Sequence, residues 1–198
     1  MMLSITEDIS YIPATENPLS ADVGIIRTAG GLWIYDVGAA PAAAAAVNAL
    51  PGPKRVVLSH FHKDHAENID KVAWDELYAG GYTCKKLGYG TEVAGEMAFP
   101  DGVRLFPLPS SHARGCVGLE VGDYAFVGDG TYKFPKDGEP AFNAGLLQAL
   151  IKTLKSLRAS WLLLSHSDPF AHPREQVIGK LEAIYAKRDK NNPYIFLP

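Results

Sequence analysis

The residues best able to do chemistry in this sequence lie together in Ser59-His60-Phe61-His62-Lys63-Asp64-His65-Ala66-Glu67-Asn68. Half of the chain's six histidines fall there, with an aspartate among them. In an extended segment, residues two apart point the same way, so His60 and His62 can converge on one ion as neutral imidazole donors. Asp64 and His65 follow where the chain bends and can reach a second point nearby. A carboxylate at that bend is also favoured by the exposed N–H groups of a helix start. Clustered in this way, the four residues read as metal ligands rather than as unrelated surface or core side chains.

The elements around the cluster must hold it in place. Arg55-Val56-Val57-Leu58-Ser59 is short, apolar and β-branched, which predicts a buried strand. Glu67-Asn68-Ile69-Asp70-Lys71-Val72 can start a helix, so the cluster sits on a strand-to-helix loop, where rigid scaffolds present chemistry. Three more polar residues repeat the arrangement. His112 follows an apolar strand at 103–108, Asp129 follows one at 124–127, and His166 follows one at 161–165. All can therefore gather along one edge of the sheets.

Elsewhere, residues 3–12 read as one strand and 13–20 as a polar loop. Strands at 23–27 and 32–37 flank the hairpin signal Gly30-Gly31. Pro41 and the alanines after it start a helix that Pro51-Gly52-Pro53 breaks. A short strand at 77–79 and a helix at 82–87 follow, then a hairpin over 117–127 turning at Gly122-Asp123. Leucines at helical spacing mark a helix over 143–157, Pro173 opens another to about 187, and 194–197 reads as an edge strand. Hairpins followed by strand–helix units in both halves predict two sheets with helices outside, as one domain over residues 1–198.

Composition narrows the function. A hydrophobic fraction of 47% and a charged fraction of 21% are those of an ordinary globule. A net charge of -3 and a pI near 6.1 leave no electrostatic footprint for nucleic acid. There is no run long enough to span a membrane, and the acidic start Glu7-Asp8 does not suit a secretory leader. Cys84 and Cys116 do not form a disulfide framework, so the expected compartment is the cytoplasm. Cys116 reads as a small buried residue. His172, beside Pro173, reads as a helix cap or a surface residue.

The set His60-x-His62-x-Asp64-His65, then His112, Asp129 and His166, resembles the metallo-β-lactamase superfamily in order and separation, and Asp36-Val37-Gly38 looks like its Asp-x-Gly. The resemblance covers roughly residues 20–170. It implies an α/β, four-layer αββα sandwich of two mixed β-sheets with helices on the outer faces. It implies that His60, His62 and His112 hold one ion, that Asp64, His65 and His166 hold the other, and that Asp129 bridges them. Asp36 would support the metal loop from behind. Two departures touch the walls of the site rather than a ligand. Ser110-Ser111-His112-Ala113-Arg114-Gly115-Cys116 replaces a glycine-rich stretch, and Glu67 replaces a small residue. His62 stands where the flavodiiron variant carries a glutamate.

The implied activity is a dinuclear metal-dependent hydrolase. A metal-bridged hydroxide would attack an ester, thioester, lactone or similar bond of a small molecule, with Asp64 orienting the nucleophile or taking its proton. The donor set suits two zinc ions, and also manganese or iron. Tyr132 stands at the distance from Asp129 found in the N-acyl homoserine lactonases of the superfamily and is a candidate oxyanion donor. Arg114 and Lys133 are candidates to bind a substrate anion. Two alternatives remain open: an iron-dependent redox or dioxygenase member of the same fold, and a non-catalytic metal-binding member.

Overall fold

The computed structural model describes residues 1–197. Its main sheet has seven strands in the order Leu3–Ser4, Ile9–Ile12, Val23–Thr28, Gly31–Tyr35, Lys54–Leu58, Glu76–Ala79, Thr91–Glu92. The first four pair antiparallel, and from Gly31–Tyr35 onward the pairing is parallel. The second sheet has six strands in the order Met97–Ala98, Arg104–Leu108, Cys116–Val121, Tyr124–Gly128, Trp161–Leu164, Ala171–Pro173. Tyr124–Gly128 and Trp161–Leu164 are its parallel pair.

Three cores separate four layers. Trp33, Tyr35 and Val57 of the first sheet pack against Leu105, Leu119 and Phe126 of the second. The other face of the first sheet, with Ile34, Val56 and Leu58, buries Ala43, Ala44 and Val47 of the helix Pro41–Asn48. The small side chains let that helix approach the sheet closely, which accounts for the alanine run. The outer face of the second sheet buries Leu147, Leu150 and Leu154 of Ala144–Ser156 and Val177, Ile178 and Leu181 of Arg174–Tyr185. Asn143 caps the first of these two helices by accepting from the Leu146 N–H at 3.0 Å. The architecture is the expected αββα sandwich. Among the described residues, no helix is long and apolar enough to cross a membrane.

Several local expectations need correction. Residues 3–12 form two strands, because the Thr6 hydroxyl accepts from the Ile9 N–H at 3.0 Å and turns the chain. The expected loop at 13–20 contains a hairpin of Thr15–Glu16 and Leu19–Ser20. The helix placed from Glu67 begins earlier, as the single turn Lys63–Ala66, so Asp64 and His65 are themselves helical; a 3-10 turn, Ile69–Lys71, follows. A further hairpin, Phe134–Lys136 with Glu139–Asn143, turns at Asp137-Gly138, and Tyr194–Phe196 joins it rather than either large sheet.

Candidate metal centre

Every ligand expected from the sequence arrives at one edge of the sandwich, at the C-terminal ends of strands. Lys54–Leu58 delivers His60 and His62, and the turn after it carries Asp64 and His65. Arg104–Leu108 leads to His112, Tyr124–Gly128 to Asp129, and Trp161–Leu164 to His166. The two sheets are tied together here. The Val117 N–H donates to the Ser59 carbonyl at 2.9 Å, and Gly128 (φ 51°) lies so near Ser59 that a Cβ would stand 2.8 Å from that residue's own. A larger residue at 128 would force the two sheet ends apart.

The seven expected ligands form two groups, His60 with His62 and His112, and Asp64 with His65, Asp129 and His166. In the first, His62 Nδ1 lies 2.8 Å from His60 Nε2 and 3.1 Å from His112 Nε2. A proton on His62 Nδ1 can serve only one of these contacts, so the three nitrogens form a donor set for a cation. Burial, followed by the neighbouring His65, pushes the pKa of His60 far down, and burial followed by His112 lowers that of His62. Both imidazoles are therefore neutral and free to ligate.

In the second group, Asp36 and His65 are both fully buried, with Asp36 Oδ2 2.7 Å from His65 Nδ1. The other Asp36 oxygen accepts from the Ser59 N–H at 2.7 Å. With its Nδ1–H given to Asp36, His65 presents a bare Nε2, which has no hydrogen-bond partner and faces Asp129 Oδ2 at 3.3 Å and Asp64 Oδ2 at 3.5 Å. A lone pair buried against two carboxylates calls for a cation. A proton can play that part: burial disfavours it, but Asp36 and Asp129 outweigh burial and push the His65 pKa up to about 10. Asp129 Oδ1 is likewise buried without a partner, and Asp129 Oδ2 also lies 3.4 Å from His112 Nε2, within reach of both groups. These orphaned atoms and the mixed imidazole and carboxylate donors fit two divalent ions.

His166 completes the second group, with Nε2 3.0 Å from Asp64 Oδ2. Its backbone is left-handed (φ 58°), and its N–H donates to Asp22 Oδ2 at 2.9 Å. Asp22 Oδ1 accepts from the Ala14 N–H at 3.0 Å, so one buried carboxylate clamps residues 13–22 to the ligand loop. Sequence reading misses Asp22, because its partner is 144 positions away and its only local mark is to precede an apolar strand.

The other expected residues divide. The Tyr132 phenol donates to the Ser165 carbonyl; burial, then Asp129 and Asp22, push its pKa up to about 12. Cys116 is buried as expected. His172 does not cap the helix: it lies half-exposed in the strand Ala171–Pro173, with Nε2 2.7 Å from Ser167 Oγ. Arg114 and Lys133 are exposed and line no part of the cavity over the ligands; Lys133 contributes only its carbonyl, 3.3 Å from His112 Nδ1. That cavity, of about 870 Å³, is walled by His62, Asp64, His112, Asp129 and His166 and by Leu3, Tyr11 and residues 13–16.

Solved structures share the fold of this chain. The Rm3 metallo-β-lactamase superposes with a TM-score of 0.70 at 15% identity, over 94% of this chain and 93% of that one. This chain has the metallo-β-lactamase fold. The mono-zinc form of the metallo-β-lactamase FIM-1 from Pseudomonas aeruginosa shares that fold at a TM-score of 0.69 and 15% identity, over 94% of this chain and 95% of that one. A chemotaxis sensor described with a peroxy diiron species also shares the metallo-β-lactamase fold, at a TM-score of 0.65 and 15% identity, over 92% of this chain and 93% of that one. No protein-family model and no curated protein matches the sequence.

Proposed function

We propose that this chain is a dinuclear metal-dependent hydrolase that cleaves an ester, thioester, lactone or similar bond of a small molecule in the cytoplasm. The observation that carries the reading is the pair of donor groups joined by Asp129 on the wall of a cavity large enough for a substrate. His60, His62 and His112 would hold one ion and Asp64, His65 and His166 the other, with Asp129 shared. Zinc is the ion proposed, with manganese and iron suited to the same donors. Two such ions would supply a water of lowered pKa and positive charge for the reacting oxygen.

The protein's own groups do the rest. Asp36 holds the His65 tautomer that presents Nε2. Asp64, on the cavity wall, is placed to orient the attacking water or to take its proton on the carboxylate. The Tyr132 bond to Ser165 supports a positioning role, fixing the segment that carries His166. Cys84 and Cys116 are free thiols, which suits a reducing compartment.

The test is a panel of esters, thioesters, lactones and phosphodiesters, assayed on protein loaded with one defined metal at a time. Turnover of a carbonyl substrate that is lost on chelation and regained with metal supports the reading; metal binding without turnover of any member sinks it. The shared fold with a diiron sensor favours a second reading, an iron redox protein. Oxygen consumption by the iron-loaded chain, with no hydrolysis, would select it.

A further inference from the structure

The cavity over the ligands has an unusual balance of charge. Among the described residues, no lysine or arginine lines it. Beside the ligand acids Asp64 and Asp129 stand Glu16, Asp22 and Asp168. The Asp22 charge is taken up by two backbone N–H groups, but Glu16 and Asp168 are exposed at the wall. The rest of that wall is uncharged, with Thr15, Ser167 and the Tyr11 phenol as its polar members. Leu3 and Leu19, large side chains left 41% and 57% exposed, contribute with Pro13 and Ala14. Exposed leucines rimming a cavity mark a surface that gains from being covered.

Apart from Ser167 and Asp168, which follow His166, this wall is built from the first part of the chain and is fixed to the ligands. The Ala21 N–H donates to the Asp64 carbonyl at 2.8 Å, and Asp22 joins Ala14 to His166. A substrate whose reacting bond lies at the ligands must lay its remaining part against the leucines and the two free carboxylates. A carboxylate or phosphate carried on that part would meet like charge and no cationic partner. An apolar chain would cover the leucines, and an ammonium would pair with Glu16 or Asp168.

We infer that this cavity selects substrates with an apolar body that is neutral or carries a cationic group, and rejects those with a second anionic group away from the bond that breaks. The inference rests on the hydrolase reading for the bond and on the wall for the selection.

The test uses aryl esters of one apolar acid ending in a methyl, a trimethylammonium or a carboxylate group, with the matching ethers, which cannot be hydrolysed, as binding probes. On metal-loaded protein the carboxylate ether should bind about tenfold or more weakly than the other two, a gap that narrows as salt is raised. The double variant Glu16→Gln, Asp168→Asn should narrow it as well. Esters should follow the same order in kcat/KM. Equal or tighter binding of the carboxylate ether, or no binding of any ether, overturns the inference. No turnover of any ester with the ether order kept overturns the hydrolase reading alone. Turnover with the carboxylate ester preferred overturns the selectivity alone.

Discussion

Asp36 Oδ2 lies 2.7 Å from His65 Nδ1, with neither side chain exposed to solvent. This one contact sets which nitrogen of His65 faces Asp64 and Asp129, so it governs the second donor group from outside it. Asp36 is itself held in a left-handed backbone (φ 61°), a conformation that asparagine tolerates as well as aspartate does.

Asp36→Asn should therefore fold but lose control of the tautomer. Affinity for the ion of the second donor group should fall by about tenfold to a hundredfold, the usual cost of removing such a support. Competition against a chromophoric chelator measures this. Unchanged affinity for both ions would show that the pair serves folding only.

Ligand substitutions should divide cleanly. Protein purified without chelator should carry about two ions per chain if both groups bind. Asp129→Ala should disturb both, because Asp129 approaches His65 and His112 alike. His172→Ala, which breaks only a contact with Ser167, should leave metal content unchanged. Elemental analysis checks all three; a fully loaded wild-type chain that stops at one ion would falsify the dinuclear centre.

Asp22→Ala should cost stability and metal together. It removes the acceptor for the Ala14 and His166 N–H groups at once, leaving two backbone donors without a partner, a loss of about 2–4 kcal/mol. Urea unfolding of the metal-free chain reads the first effect and chelator competition the second. A change in stability with metal affinity intact would limit Asp22 to holding down residues 13–22.

Acid stability should depend on Glu120. Burial acts to raise its pKa, but the Ala159 N–H, Arg104 and the Arg158 N–H donate to it and hold it below the ordinary carboxyl value. A carboxyl whose pKa is lower in the folded chain stabilises the fold above its unfolded value and loses that contribution as pH falls through its folded value. Glu120→Gln should thus lower Tm near neutrality and flatten the fall in Tm below about pH 4.3, the ordinary glutamate value. Parallel Tm profiles for wild type and variant would refute the assignment.

Much of the centre is legible in the sequence because strand geometry makes it so. His60 and His62 share a face by their two-residue spacing, and His112, Asp129 and His166 each come soon after an apolar run. The turn Lys63–Ala66 is not legible: it is a single polar turn without periodicity, held by tertiary bonds from Ala21 N–H to Asp64 and from Val37 N–H to His65. The hairpin at 15–20 has strands of only two residues, too short to show alternation, yet it carries part of the cavity wall. Only the turn of the hairpin at 134–143 is legible, in the pair Asp137-Gly138 with φ of 53° and 88°; each of its short strands, Phe134–Lys136 and Glu139–Asn143, contains a proline that weakens the strand signal.

Tyr132 separates two ways of serving the reaction. Its ring packs near His112, with centroids 6.4 Å apart, while its phenol donates to the carbonyl of Ser165, the residue before His166. A donor to the substrate would have to give up that bond and turn toward the cavity, which Tyr132 does not line. A positioning residue would stay where it is and hold His166 in its left-handed conformation. The two roles predict different kinetics for Tyr132→Phe. Loss of a direct oxyanion donor lowers kcat by about a hundredfold or more and leaves metal affinity alone. Loss of a support for His166 weakens the second ion by about tenfold, and most of the rate returns when metal is in excess. The bond to Ser165 favours the second outcome. Metal titrations read by both kcat and chelator competition distinguish the two. A deficit in kcat that persists at saturating metal would return Tyr132 to the reacting atoms.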